Sequence, residues 1–137
     1  NFFSAIFGAS PTVFVEDVTL PPNRIPELIG RIQKIAESYN LTIIILGHAG
    51  DGNLHPCILT DKNNAEHYSR AEGAIRDIFS AALELGGCIS GEHGIGLEKK
   101  RFLRQAMPPE AIDLLREIKK VFDPRGILNP GKIWEEA

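Results

Sequence analysis

A glycine-rich turn between two strand-like segments places the firmest limit on the fold of this chain. Residues 41–46 are a continuous apolar run of strand length, and residues 54–60 have the character of a returning strand. The turn at residues 49–53 holds Gly50 and Gly52, which tolerate the positive φ angles of tight hairpin turns. The pattern predicts an antiparallel pair, and the unbroken apolar character of residues 41–46 predicts a central strand that is covered on both faces.

The flanking patterns extend this hairpin into a larger unit. Residues 13–20 are rich in β-branched and aromatic side chains, which favours a strand. Apolar residues recur at helical spacing over residues 25–39, where Asn40 is a stop signal. A second helix is predicted between a cap at Asp61 and an end at Gly86-Gly87. The order strand, helix, strand, strand, helix predicts an α+β, ferredoxin-like antiparallel sheet with helices packed on one face.

A fourth strand and two C-terminal helices complete the predicted fold. The first residues of the chain or the segment at Cys88 could supply the strand. Outside the ferredoxin-like unit we expect helices over residues 97–106 and over residues 109–122. The second of these helices should turn four apolar residues inward, namely Ile112, Leu115, Ile118 and Val121.

Length, charge and cysteine content limit the size, the ligands and the compartment of this chain. The 137 residues suffice for one compact domain with a core. A net charge of −3 without a basic run leaves no electrostatic footprint for nucleic acid. Only two cysteines, Cys57 and Cys88, are present, so we expect two small buried thiols in a reducing compartment. We therefore expect a cytoplasmic location, with a peripheral position on the inner face of the membrane as the alternative.

Three side chains from two glycine-rich segments predict a metal site. The hairpin turn folds the strand ends back, so His48 and His55 can converge although seven positions separate them. Two neutral imidazoles suit a divalent transition metal, and Glu92 is the candidate third ligand. A His-His-Glu set leaves coordination positions open, as catalytic metal sites do.

His93, the neighbour of Glu92, is the candidate base. Adjacent side chains on an extended segment point to opposite faces, so one of the pair can bind metal while the other faces substrate. Imidazole titrates near neutrality, which suits a general base. We assign Glu92 to the metal and His93 to proton transfer; spacing alone also permits the reverse.

This arrangement suits the oxidation of a 2-hydroxy acid. The substrate could chelate the metal through its hydroxyl and carboxylate oxygens, and His93 could take the hydroxyl proton. The hydride then needs an acceptor, which this chain does not offer: it contains no GxGxxG motif after a strand and no Walker loop. Two further hypotheses remain open, namely a stand-alone metal- or ligand-binding α+β module without catalysis, and a dimerising structural domain whose histidines are incidental.

Other polar residues have plainer interpretations. Asp51 and Asn53 are expected to stabilise the turn through hydrogen bonds from their side chains to the backbone. His67 lies on the polar face of its predicted helix and is expected to be solvated, as are Lys99 and its two basic neighbours.

Three motifs resemble one known family. They are GHAGDGNLHP at residues 47–56, SGEHGIG at residues 90–96 and FDPRGILNPGK at residues 122–132. Together they resemble the C-terminal cap domain of FAD-linked 2-hydroxy-acid oxidoreductases, which include the flavin subunit of glycolate oxidase and D-lactate dehydrogenases. The resemblance extends from Glu16-Asp17 to Lys132, nearly the whole chain.

The resemblance implies a ferredoxin-like fold and a distribution of roles. His48, His55 and Glu92 match the ligands of a divalent metal, zinc or else manganese or iron, and His93 matches the base. Asn129 matches a weaker cofactor contact in the tail that returns towards the flavin. In the hydroxyglutarate-oxidising relative, an Asn two positions after the second His helps to bind substrate. Cys57 occupies that position in this chain, so the resemblance implies a dicarboxylate substrate less strongly than it implies a 2-hydroxy acid in general.

The resemblance also implies partners. The chain starts at Asn1 and carries no flavin-binding motif, so we expect residues 1–137 to be the substrate and metal domain of a larger flavoprotein. Its expected partners are its own N-terminal FAD domain, a small 2-hydroxy acid and other oxidase subunits, including an electron acceptor. We expect the chain alone to be inactive and to self-associate through the apolar face that the FAD domain would cover.

Overall fold

The computed structural model describes the backbone of residues 2–134 and the side chains of residues 4–134. The chain divides into two compact units, residues 1–92 and residues 93–137. The first unit contains, in chain order, helix α1 (Phe2–Ala9), strands β1 (Thr12–Val15) and β2 (Val18–Thr19), helix α2 (Ile25–Tyr39), strands β3 (Ile43–His48) and β4 (Asn53–Thr60), and helix α3 (Ala65–Glu84). The second contains the short helix α4 (Leu103–Ala106) and helix α5 (Pro109–Phe122).

Strand β4 is the centre of the antiparallel sheet. β3 pairs along one edge of β4, from Ile43 opposite Ile58 to His48 opposite Asn53. β1 and β2 pair along its other edge, and Thr19 of β2 makes a further antiparallel bridge to Cys88. The order across the sheet is thus the Cys88 segment, β1 with β2, β4 and β3, which is the ferredoxin-like α+β arrangement that the sequence predicts.

The prediction that residues 41–46 form a central strand is wrong. Among the described strands β3 pairs with β4 alone, and residues 43–46 are only half-buried. Continuous apolar character shows that a segment avoids water, but it does not show which strand has neighbours on both edges. β4 takes the centre because β1 and β2 return to its free edge.

The strand predicted over residues 13–20 is interrupted at Glu16 and Asp17. β1 and β2 nevertheless keep one register against β4, since Val18 is three positions after Val15 and its partner Leu54 is three positions before Cys57, the partner of Val15. Both acidic residues of the break are buried. A buried carboxylate is unfavourable unless it is hydrogen-bonded. We therefore expect the side chains of the break to be held by hydrogen bonds from other segments of the chain.

Of the two alternatives for the fourth strand, the Cys88 segment is the one observed. Cys88 and Thr19 exchange both backbone hydrogen bonds, at 3.1 and 2.7 Å. The first residues form helix α1 instead, in which Ile6 is buried, so the alternative of an N-terminal strand is wrong.

The helices of the first unit follow the predicted periodicity. α2 has the predicted bounds and ends at Asn40, whose φ of 49° is the left-handed conformation of a helix stop. α3 begins later than expected, because Asn64 caps it by accepting a hydrogen bond from the backbone N–H of His67. Asp61, the predicted cap, instead accepts the N–H of Asn63 in the preceding turn.

α2 and α3 cover one face of the sheet. They pack on each other, and α2 also contacts β3 while α3 contacts β2 and β4. The largest fully buried apolar side chains in this unit are Val18, Leu28, Ile32, Ile58, Ile78, Phe79 and Ile89. His67 of α3 is half-buried and lies 2.9 Å from the Thr60 hydroxyl, so its predicted position on a solvated surface is wrong. The residue faces the sheet because α3 is capped by Asn64, three positions after the predicted cap Asp61.

The second unit departs from its predicted burial. Only a 3-10 turn at Lys100–Phe102 and the four residues of α4 are helical in the region predicted as one helix, although α5 has the expected bounds. Ile112 is buried as predicted, but the remaining members of the inward stripe, Leu115, Ile118 and Val121, are exposed. Periodicity identifies an amphipathic face, whereas its burial needs a covering element that the described residues do not supply.

Two further features complete the fold. Lys99 is buried, in contrast to the solvated position expected for it. Among the described residues, no helix combines the length and apolar character that a membrane span needs.

Gly52 is predicted to be essential to the hairpin turn. Its φ is 75°, and a Cβ at this position would overlap the carbonyl oxygen of Leu20. Gly52→Ala should therefore lower the free energy of unfolding by at least about 1 kcal/mol, the cost of a left-handed backbone for a residue with a Cβ. Gly50→Ala is the matched control, since a Cβ there meets no atom within 4 Å. Urea unfolding of both variants measures the difference; equal losses would contradict the assignment.

Candidate metal centre

The register of β3 and β4 places two imidazoles on one face of the sheet. His48 lies directly opposite Asn53, and His55 follows Asn53 by two positions in β4. Residues two apart in a strand share a face, as do directly paired residues of neighbouring strands. Thr60, an even-numbered residue of β4, contacts His67 of α3. The odd-numbered face with His55 is consequently the one that α2 and α3 leave open.

Glu92 joins the two histidines from the segment that follows Cys88. Its Oε1 lies 2.9 Å from Nε2 of His55 and 4.0 Å from Nε2 of His48. The imidazole rings are edge to face, with centroids 5.5 Å apart. One ligand atom from each of the three residues lies within 4.8 Å of the other two. Tetrahedral metal bonds of about 2 Å place ligand atoms about 3.3 Å apart, so small side-chain movements suffice to surround one ion.

The donor set fits a divalent transition metal. Nδ1 of His55 lies 3.3 Å from the carbonyl oxygen of Glu16, which can only accept, so Nδ1 carries the hydrogen. In the neutral ring Nε2 is then an acceptor that faces Glu92, and two acceptors 2.9 Å apart need a proton or a cation between them. A carbonyl that holds the distal ring nitrogen is the usual arrangement behind a metal-binding histidine.

The three side chains differ in exposure. His55 is 12% exposed, whereas His48 and Glu92 are 60% and 51% exposed. One anchored ligand and two accessible ones leave a side of the cluster open to a small molecule. This openness distinguishes the arrangement from a closed structural metal site.

Asn53 takes part in the cluster in a way that sequence reasoning missed. It was expected to stabilise the turn, but its Nδ2 donates to Oε1 of Glu92 at 3.4 Å. Asn53 is buried, and its Oδ1 and the Oγ1 of Thr19 have no hydrogen-bond partner among the described residues. The signal in the sequence is the polar residue placed two positions before His55, on the same face of the strand.

Gly91 allows the Glu92 segment to approach the sheet. A Cβ on Gly91 would overlap Oγ1 of Thr19 and would crowd the Asn53 amide. The glycine beside Glu92 thus has a packing role, since any side chain would push the carboxylate away from the histidines.

Comparison with known proteins assigns the family. The family model for FAD linked oxidases, C-terminal domain, matches residues 1–133. The chain belongs to this family. It is 45% identical over 131 residues to the glycolate oxidase subunit GlcD of Bacillus subtilis, an alignment that covers 96% of this chain and 28% of that protein.

Other relatives have similar coverage. Identity to GlcD of Escherichia coli is 39% over 132 residues, which is 96% of this chain and 26% of the relative. Identity to a D-lactate dehydrogenase of Archaeoglobus fulgidus is 43% over 119 residues, which is 87% of this chain and 26% of the relative. This FAD-linked oxidase domain therefore spans little more than a quarter of the length of these relatives.

The other two predicted site residues of this FAD-linked oxidase domain lie in its second unit. His93 directly follows Glu92 and is exposed. Asn129 is also exposed and has a φ of 51°. It borders an open groove of about 820 Å³, which Lys132 and Trp134 also line.

The cysteines of this FAD-linked oxidase domain are free thiols. Cys57 is fully buried in β4, as predicted, and burial raises the pKa of its thiol. Its Sγ lies 3.7 Å from the carbonyl oxygen of His55. Cys88 is exposed, so its predicted burial is wrong: it lies in the outermost segment of the sheet, where less of the chain covers it.

A buried carboxylate holds the tail that leads to Asn129. Asp123 accepts the backbone N–H groups of Ile127 at 3.0 Å and Leu128 at 2.9 Å, and it also accepts from the Lys119 ammonium. Lys119 donates in addition to the Leu128 carbonyl at 3.0 Å. The hydrogen bond from Lys119, followed by those from the two backbone groups, lowers the pKa of Asp123 below its ordinary value.

Asp123→Asn is predicted to destabilise the protein in a pH-dependent way. Because the folded pKa is the lower one, the carboxylate stabilises the fold fully above its unfolded pKa of about 4, and this contribution is lost as the pH falls through the folded value. The variant should therefore be less stable near neutral pH, and its deficit should shrink in acid. Urea unfolding across this range measures it.

Asp113→Asn is the control for that experiment. Asp113 lies on α5, the helix that ends directly before Asp123, but it is 70% exposed and pairs with Arg116 at 3.2 Å. An exposed pair of this kind contributes little to stability. A deficit of Asp123→Asn that is the same at every pH, or that Asp113→Asn reproduces, would contradict the role given to Asp123.

Proposed function

We propose that this chain is the metal-holding, substrate-facing part of an FAD-dependent oxidoreductase that oxidises a 2-hydroxy acid, glycolate or D-lactate, to the 2-oxo acid. The convergence of His48, His55 and Glu92 on an open face of the sheet carries the proposal. Relatives named as a glycolate oxidase subunit and a D-lactate dehydrogenase support the choice of substrate.

The proposed ligands of the metal are Nε2 of His48, Nε2 of His55 and a carboxylate oxygen of Glu92. A bound zinc, manganese or iron ion would supply Lewis-acid chemistry that lowers the pKa of a substrate hydroxyl. The mixed imidazole and carboxylate set suits each of these ions. The exposed sides of His48 and Glu92 leave room for the hydroxyl and carboxylate of a small 2-hydroxy acid.

His93 is the proposed base. An imidazole can accept the hydroxyl proton near neutral pH, and its place directly after Glu92 keeps it close along the chain to a proposed ligand. FAD, held mainly by polypeptide outside this chain, would supply the acceptor for the hydride. The substrate would thus lose a proton to His93 and a hydride to the FAD. Asn129 is proposed to contact this cofactor.

The partners follow from the same assignment. We propose that the apolar face of α5 meets further polypeptide, in the first place the FAD domain and then other oxidase subunits that include an electron acceptor. Val121 and Phe122 on this helix are more than three-quarters exposed. Without that cover, the same face would favour self-association.

The metal site is tested by the metal content of variants. His48→Ala and Glu92→Ala should each lose most of the zinc that the wild type retains after dialysis, because each removes one of three ligands. Elemental analysis of the purified proteins measures the zinc. His67→Ala is the matched control, since His67 lies on α3 and bonds to Thr60. Unchanged zinc in both site variants would remove the ligand assignment.

The reaction is tested on the full polypeptide that the reading frame encodes. Glycolate or D-lactate should reduce the bound FAD under anaerobic conditions, which is followed by the loss of flavin absorbance. His93→Ala should slow this reduction by about 10²- to 10⁴-fold, the usual contribution of a general base. If the protein binds FAD and no 2-hydroxy acid reduces it, the proposed reaction is wrong; metal binding without FAD would favour a stand-alone metal-binding module.

A further inference from the structure

Asp17 is a fully buried carboxylate in the break between β1 and β2. Its relative exposure is 0%, and its Oδ2 accepts three hydrogen bonds from consecutive residues. The donors are the Ser90 hydroxyl at 2.7 Å and the backbone N–H groups of Gly91 and Glu92, both at 2.9 Å. Successive N–H groups that converge on one oxygen form a concave anion-binding nest, and bonds to a charged acceptor are the stronger kind.

These bonds fix the backbone from which the Glu92 side chain projects. The segment is tied to β2 at one end by the paired backbone groups of Cys88 and Thr19. At its other end the Asp17 carboxylate holds the N–H of Glu92 itself. The backbone of Glu92 is consequently fixed. Its carboxylate, although 51% exposed, can change position only by rotation about its own side-chain bonds.

The same break also orients a histidine. The residue before Asp17, Glu16, presents its carbonyl oxygen to Nδ1 of His55 at 3.3 Å. The register of β1 and β2 against β4 is intact on both sides of the break, so the interruption is not needed for strand pairing. Its two residues therefore support two of the three converging side chains. Glu16 contacts the His55 ring, and Asp17 holds the backbone of Glu92.

We propose that Asp17 is a positioning residue that presents the Glu92 carboxylate to the metal beside His55. The inference rests on the proposed metal site and deepens it. The alternative is that Asp17 only stabilises the fold by tying residues 90–92 to the sheet. The two differ in metal affinity: a positioning residue changes how tightly the folded protein holds an ion, whereas a purely structural one changes only how much protein is folded.

The test compares Asp17→Asn, Ser90→Ala and a control in the full polypeptide. Asp61→Asn is the matched control, because Asp61 is also a carboxylate of the first unit that accepts a backbone N–H, that of Asn63 at 2.9 Å. The affinity for Zn²⁺ is measured by competition with a chelator, and the Co²⁺ absorption spectrum reports the ligand geometry. Urea unfolding of the metal-free proteins measures stability separately.

Asp17→Asn should weaken Zn²⁺ binding by about 10- to 100-fold and alter the Co²⁺ spectrum, as the loss of a support behind a metal ligand does. Ser90→Ala removes one of the three donors and should weaken binding by about 3- to 10-fold. Asp61→Asn should bind both ions as the wild type does. If Asp17→Asn does not fold, Ser90→Ala decides the question by the same measurements.

Wild-type Zn²⁺ affinity and an unchanged Co²⁺ spectrum in folded Asp17→Asn, or in Ser90→Ala where that variant decides, would overturn the positioning role while leaving the metal site intact. If the wild type itself binds neither Zn²⁺ nor Co²⁺, the proposed metal site fails and this inference fails with it. The two failures are distinguished by the wild-type measurement alone.

Discussion

The antiparallel register between β3 and β4 is the constraint on which the candidate site depends. It sets His48 opposite Asn53 and leaves His55 two positions further along the same face. A shift by one residue would send one imidazole to the face that α2 and α3 cover. The turn that holds this register needs a left-handed residue at Gly52, so the backbone conformation of one glycine contributes directly to the geometry of the cluster.

Three of the four buried polar residues in the described part of the first unit, Glu16, Asp17 and Asn53, lie where Glu92 meets the two histidines. Asp17 and Asn53 are buried, and both donate to or accept from the segment that ends at Glu92. Buried polar groups rarely improve stability over apolar ones, so their placement at this one edge of the sheet is best explained by the geometry of the cluster. The break between β1 and β2 is the local irregularity that makes these contacts possible.

Local patterns predicted the bounds of the helices and strands better than they predicted which elements pair with or cover one another. The bounds of α2 and α5 follow from apolar periodicity together with Asn40 and Pro109, since these signals act within a few residues of the helix ends. Pattern failed where burial depends on distant segments: β3 lies at the edge of the sheet, and the stripe of α5 is largely exposed. The sequence motifs also predicted the family, because few families carry these three motifs in the same order.

The sequence by itself determined the ferredoxin-like α+β unit and the three residues that could share a metal ion, because periodicity, glycine-rich turns and ligand chemistry are all local properties. Only the tertiary structure decided that Glu92 meets His55 at 2.9 Å and that Asp17 and Glu16 stand behind them. Asp17 and Glu92 are 75 residues apart in the chain. No local pattern encodes a contact of that separation, which exists only once the Cys88 segment pairs with β2.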